Sequence, residues 1–300
     1  MDGVLIIDKP EGLTSHDVVN RVRRVLKTRR VGHTGTLDPF ATGVMVVLVG
    51  QATRLAQFID KDEKEYVATV AFGYETDTGD RTGTRNAQRT VHNVVLTREV
   101  VAAALANFRG EIEQVPPMYS AKKVDGEKLY ELARRGETIE RKAVPVTIRE
   151  LEIIGDIEPN LELQTSNLEL RVSCSAGTYI RVLAEDIGRA VGVGAHLDEL
   201  RRTRSGRFGI DRSVRLDTLS ELTDPLSQLL PMSVAVSHLP AVTLNDDRLT
   251  KTRHGLSTRV FDHECKDGDA VRMESEGGEL IAIGRFEAEE NVVQPKVVLI

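Results

Sequence analysis

Gly32-His33-Thr34-Gly35-Thr36-Leu37-Asp38-Pro39-Phe40-Ala41-Thr42-Gly43 is the stretch on which the reading of this chain turns. Its glycines accept backbone shapes that other residues resist, and the proline after Asp38 restricts that aspartate to an extended conformation. No Gly-Lys-Ser/Thr follows and no dinucleotide fingerprint is present, so the loop is not a phosphate cradle. One carboxylate displayed on a stiff loop suits a nucleophile or general base. The ordinary alternative is an aspartate hydrogen-bonding its own turn, and these twelve residues alone leave both open.

Working outward, Val4 to Ile7 reads as a strand that ends in the turn Asp8-Lys9-Pro10-Glu11-Gly12. Ser15 is the expected cap of a helix with Val18, Val19, Val22, Val25 and Leu26 on one face and Arg21, Arg23, Arg24 and Lys27 on the other. Downstream come the apolar run Val44–Val49, a strand over 66–72, and a helix from Thr97 to Phe108. Pro116-Pro117 precedes a basic segment holding Lys122, Lys123, Lys128, Arg134, Arg135, Arg141 and Lys142. Its helical part, Leu129 to Arg135, stops at Gly136. Strands are expected near 146–154 and 168–174, and helices near 179–191 and 195–203. Helices and strands mix without regular βαβ alternation, which predicts an α+β fold with a mixed sheet and flanking helices. The stretch 216–240 has three acidic residues, no basic ones and three prolines, and reads as a boundary. Short strand candidates beyond it suggest a small β-rich domain. The expected division therefore falls within 216–240.

The 300 residues are 40% hydrophobic and 29% charged, which excludes a disordered or collagen-like chain. Apolar runs such as Val44–Val49 fall far short of the roughly 20 residues of a membrane span. The start of the chain lacks a basic region followed by an apolar core, so no secretory signal is expected. Two distant cysteines, Cys174 and Cys265, suit a reducing cytoplasm better than a disulfide scaffold. Net charge is −6, yet 1–60 carries +2, 121–150 carries +2, 181–215 carries +3 and 241–300 carries −4. An acidic total is thus compatible with a basic groove, although solvated helix faces give the same pattern. Tyr66 would by default be a strand core residue, and Arg181 a solvated arginine at a helix start. Asp262-His263-Glu264-Cys265 lacks the spacing of a metal site, and no metal is assigned there.

Taken in order, these segments resemble the TruB family of pseudouridine synthases, which act on uridine 55 of tRNA. The likeness rests on Lys9–Ser15, the Gly32–Gly43 loop, Lys64-Glu65-Tyr66 and Gly73–Asp80. It continues through Pro116–Ala121, Gly126-x-x-Leu129-Tyr130, Gly177-Thr178-Tyr179-Ile180-Arg181, Gly194–Leu197 and Arg201–Gly206. Each is weak alone; their order and spacing along nearly the whole chain carry the resemblance.

The resemblance implies a pseudouridine-synthase core with an RNA-gripping thumb over about 119–145, and a PUA-like RNA-binding domain over 236–300. It implies Asp38 as nucleophile, Tyr66 as a base-contacting proton acceptor, and Arg181 as partner of the nucleophile. Tyr179 would line the pocket, Leu200 would lie against the base, and His33 would fill the space left by the everted uridine. Lys9 and Pro10 would buttress the pocket, while Lys122, Lys123, Lys128 and Arg202 would meet RNA. The basic stretches 21–30, 122–142 and 201–207 are expected at phosphates. Ala176 stands where many relatives carry a basic residue.

Isomerising uridine breaks N1–C1′, turns the base and rejoins it through C5. Nothing is oxidised or lost, so no cofactor is expected. A carboxylate can attack C1′, as in retaining glycosidases, or add to C6 of the ring. Tyr66 could serve as a base only if its surroundings lower a pKa near 10 or its proton moves in concert. The expected partner is the T-stem-loop of tRNA, with no membrane and no guide RNA, the protein acting as a cytoplasmic monomer. A protein that only binds or folds RNA on this scaffold is the competing reading, disfavoured by an acidic group inside a basic groove. A guide-dependent relative of the dyskerin type is a third.

Overall fold

The computed structural model of the chain describes residues 1–59, 63–86, 95–120, 122–124, 126–160, 165–260 and 264–299. The run after the glycine-rich loop becomes the strand Thr42–Val49, antiparallel to Gly3–Lys9, with Gly3 opposite Val49 and Lys9 opposite Gly43. Their β-branched residues fit a pleated surface covered on both sides. Val4, Ile6, Val44, Val46 and Leu48 face a cluster closed by Ala235, Val236, Leu280 and Ile283. On the opposite face, Leu5, Ile7, Met45, Val47 and Val49 meet Val18, Val19 and Val22 of the helix Ser15–Val25. Two covered faces explain why these strands read as continuous apolar runs rather than alternating ones.

Among the described residues an eleven-stranded mixed sheet dominates. Its main path runs Val214–Arg215, Gly3–Lys9, Thr42–Val49, Ala195–Ser205, Lys64–Phe72, Thr165–Cys174, Val144–Ile153 and Gly110–Gln114. The helix Ile180–Val191 covers one face, burying Leu183, Ala184 and Ile187 against Ala68, Val70 and Leu197. A separate sheet of five strands holds Ala241–Leu244, Thr258–Arg259, Ala270–Ser275, Leu280–Glu287 and Val292–Val298. The fold is α+β, and no described helix is long and apolar enough to cross a membrane.

Two local expectations are corrected. Residues 195–203 are not a helix but part of the strand Ala195–Ser205. Leu197 pairs with Val70 and Leu200 with Ala68, because the register slips between Leu197 and Glu199. That bulge puts two leucines three apart on the same buried face, which imitates helical spacing. The helix cap is Thr14, whose hydroxyl accepts from the Asp17 N–H while the Asp17 carboxylate accepts from the Thr14 N–H. Only Thr14 has an acid three residues on, as a capping box requires. The stretch 216–240, read as a boundary, is packed against the sheets. Leu216 and Leu219 are buried, Leu230 exchanges backbone hydrogen bonds with Val4, and Ala235 and Val236 sit in the cluster joining the two sheets.

Gly43 holds the sheet together where the loop re-enters it. Its φ is +100°, and a Cβ there would lie 2.2 Å from the Arg202 carbonyl oxygen. Gly43→Ala should lower unfolding free energy by about 3 kcal/mol through strain and steric overlap. Urea denaturation checks this; an unchanged midpoint would contradict the close approach.

Candidate active site

The site lies on one transverse row of the sheet. Lys9 pairs with Gly43, Gly43 with Arg202, Arg202 with Tyr66, and Tyr66 with Val172, across five strands. The glycine-rich loop hangs from this row and is tied on both sides of Asp38. Ser15 Oγ accepts from the Leu37 N–H at 2.9 Å and donates to the Leu37 carbonyl at 3.1 Å. The Pro39 carbonyl accepts from the Gly12 N–H at 2.8 Å and from Lys9 Nζ at 3.1 Å. Lys9 Nζ also donates to the carbonyls of Pro10 and Leu13, at 2.9 and 2.7 Å. Burial pushes this ammonium down to about 8, against the pull of Asp38 and Glu11. Lys9 and Pro10 line neither of the cavities around Asp38; they stand behind the loop and brace it.

Arg202 departs from its expected place at RNA. It is buried, and its guanidinium donates to the carbonyls of Val44 at 2.7 Å, Gly35 at 3.3 Å and Thr36 at 3.4 Å. Its neighbours are likewise engaged within the protein: Arg201 with Asp8 at 2.8 Å, and Arg204 with Glu63 at 3.3 Å. Within 201–207 these bonds organise the sheet, while Arg207 is exposed. In the 21–30 stretch, Arg21 pairs with Asp217 at 2.9 Å and Arg23 donates to the Val31 carbonyl at 3.1 Å.

Arg181 approaches Asp38 from the other side. Its Nε lies 2.9 Å from Asp38 Oδ2, and its side chain is only 5% exposed. Nη1 donates to the Thr78 carbonyl and Nη2 to the Tyr119 carbonyl, each at 2.7 Å. Asp80 Oδ2 stands 3.7 Å from Nη1. Removal from water raises the Asp38 pKa, Arg181 opposes this most strongly, and Asp80 reinforces it. Tyr66 is buried beside Arg202, and burial lifts its phenol pKa above 10.0 despite that cation. Of the two conditions for a tyrosine base, a lowered pKa is not met, which leaves a proton that moves in concert. Burial also lowers the His33 pKa, leaving a neutral imidazole whose Nδ1 accepts from the Gly35 N–H at 3.3 Å.

Two cavities meet at Asp38. One, of about 510 Å³, is bounded by Tyr66, Tyr179, Leu200, Lys64, Ala176 and the loop itself. The other, of about 710 Å³, lies between Thr14, His16, Thr78, Asp80, Tyr119 and Tyr130. A carboxylate paired with a buried guanidinium at the neck of a partly aromatic cavity is placed for nucleophilic attack. Among the described residues no three His, Cys, Asp or Glu side chains gather as metal ligands would; Asp262 and His263 lie outside them.

Comparison with known proteins gives this geometry its family. The TruB pseudouridylate synthase N-terminal domain matches residues 23–180, and the tRNA pseudouridylate synthase B C-terminal domain matches 181–237. The chain belongs to the TruB family of pseudouridylate synthases. A tRNA pseudouridine synthase B of Aromatoleum aromaticum is 45% identical over 279 residues, covering 92% of this chain and 86% of that protein. One of Solibacter usitatus is 43% identical, with each chain covered in full. A Cbf5-Nop10-Gar1 complex contains a chain of TM-score 0.74 and 30% identity, covering 99% of this chain and 85% of that one.

Of the residues expected at this TruB site, the structure brings Asp38, Arg181, Tyr66, His33, Tyr179 and Leu200 to the walls of one cavity. Lys123 and Lys128 belong to a short hairpin of Lys123–Val124 and Glu127–Lys128, and their side chains lie outside what is described. Two contributors were missed. Asp80, in a Thr/Asp/Gly run that reads as a turn, accepts from the Thr82 N–H at 2.9 Å and the Thr78 hydroxyl at 3.0 Å while facing Arg181. Gln114 caps the Arg181 helix from a distant strand, accepting from the Tyr179 N–H at 3.0 Å and donating to the Tyr179 carbonyl at 3.3 Å. Tyr179 offers no side-chain cap of its own, which was the one available hint.

Because burial raises the folded pKa of Asp38 above that of an ordinary aspartate, the folded state takes up this proton first as pH falls. This group therefore favours folding more at low pH and less above its raised pKa. NMR titration of the Asp38 carboxyl carbon should give a midpoint above 3.8, and Arg181→Met should move it higher still. A midpoint unmoved by loss of the guanidinium would contradict the pairing.

Proposed function

We propose that this protein isomerises uridine 55 in the T loop of tRNA to pseudouridine, with Asp38 as nucleophile. The observation that carries the reading is the Asp38–Arg181 pair at 2.9 Å, set where two cavities join beside aromatic walls. It is supported by relatives named for tRNA at 45 and 43% identity. Attack of the carboxylate on C1′ forms an ester-like bond as N1 leaves with the bonding pair. The freed uracil turns, C5 attacks C1′ and the carboxylate departs. Loss of the C5 proton and protonation of N1 complete an isomer. The everted base packs between Tyr66, Tyr179 and Leu200, offsetting part of the few kcal/mol of unstacking.

Tyr66 enters as a phenol. Accepting a proton from ribose C2′, the alternative to direct attack at C1′, would require its own proton to leave before or in concert, and Arg202 is the nearby cation that eases that loss. Packing against the base is its better supported role. Residues 1–235 are assigned as the catalytic unit with its thumb at about 119–145, and 236–300 as a PUA-like RNA-binding unit, supported by the separate five-stranded sheet. The protein is assigned as a cytoplasmic monomer that reads folded tRNA directly. The Cbf5-Nop10-Gar1 neighbour is 30% identical against 45% for a relative named for tRNA, which favours a substrate recognised without a guide.

The deciding experiment incubates purified protein with an unmodified tRNA transcript, no other RNA present, and maps pseudouridine. Asp38→Asn should slow product formation by more than about 10⁴-fold while RNA affinity is retained. Substantial turnover by that variant would remove Asp38 from the chemistry. Replacing Lys122, Lys123 and Lys128 with alanine should weaken binding and reduce the log–log salt slope by about 2. An unchanged slope in filter binding would take the thumb off the phosphate backbone.

A further inference from the structure

Ser120 is one of the residues at the neck between the two cavities, and turning about its Cα–Cβ bond would bring its enclosed, unengaged hydroxyl into that neck. The residue is 6% exposed, and its Oγ has no hydrogen-bond partner among the described residues. Its backbone is satisfied: the N–H donates to the Met118 carbonyl at 2.9 Å, and the carbonyl accepts from the Tyr130 N–H at 3.1 Å. The preceding carbonyl, on Tyr119, accepts from Arg181 Nη2 at 2.7 Å, so this segment is anchored to the guanidinium that faces Asp38. A buried hydroxyl without a partner is unfavourable in the free protein and signals a bond completed by a ligand.

The position indicates which part of a ligand. His33, Thr36, Leu37, Asp38, Ser120 and Arg181 are the residues that border both cavities. With a base in the cavity of Tyr66 and Leu200, and its anomeric carbon at Asp38, the sugar occupies this neck. Within an RNA chain O3′ and O5′ are esterified, so that sugar offers one free hydroxyl, at C2′.

We propose that the Ser120 hydroxyl hydrogen-bonds the 2′-hydroxyl of the everted nucleotide and so makes the site selective for a ribonucleotide at the target position. This rests on the reading of the site as a uridine isomerase. Such a contact supplies discrimination at the sugar, separate from any reading of the base, because the 2′-hydroxyl is what distinguishes RNA from DNA at one position.

Binding is measured in the Asp38→Asn background, where turnover does not intervene, with T-arm hairpins carrying uridine or 2′-deoxyuridine at the target. Ser120→Ala should weaken binding of the uridine hairpin about three- to tenfold, the effect of one hydrogen bond, and leave the deoxyuridine hairpin unaffected. Ser120→Thr, which keeps the hydroxyl, should retain most of the affinity. The melting temperature of Ser120→Ala should be equal to or above that of the parent, since an unpartnered group is removed. Equal weakening on both hairpins, no weakening on either, or a clear fall in melting temperature would overturn the assignment. Failure of the unsubstituted protein to form pseudouridine would instead strike the functional reading.

Discussion

A carboxylate beside a sugar carbon must hold its charge against the cost of leaving water, and the Arg181 guanidinium is the group that works against that cost. Burial alone would favour the protonated acid, and the carboxylate of Asp80 pushes the same way. Arg181 counters both at 2.9 Å. It is itself held by the carbonyls of Thr78 and Tyr119, so three segments distant in sequence converge on one planar group. The fork of fixed donors in arginine suits this task better than a flexible ammonium would.

The opposite side of the site follows the same logic with backbone rather than carboxylate partners. Lys9 and Arg202 are cations withdrawn from solvent, and each satisfies three carbonyl oxygens around the loop. Their charge adds to the positive field at Asp38, while their hydrogen bonds stiffen the peptide on either side of it. Stiffness matters because a nucleophile displaced by an ångström loses much of the advantage of being held in place.

Much of this was legible in the chain. The loop carried its aspartate in a conspicuous frame of glycines and a proline, and the valine-rich strands declared themselves by β-branching. Legibility failed where one residue served two geometries. At Leu197 and Leu200 a bulge reproduced a helical interval inside a strand. Arg202 lies in a basic run that reads as a phosphate-facing surface, and nothing local reveals that Gly43, facing it across the sheet, leaves room for its backbone. Asp80, Gln114 and Ser120 were hidden for a related reason. Their partners are at least 60 residues away or, for Ser120, absent from the free chain, so no local pattern marks them.

The row Lys9, Gly43, Arg202, Tyr66 has a consequence during synthesis. The strand carrying Arg202 inserts between Thr42–Val49 and Lys64–Phe72, two strands translated long before it. Until it emerges from the ribosome the older strands lack their shared neighbour, and the loop lacks the cation that fastens it. Closure of so long an interval, rather than any local helix, should set the pace of maturation.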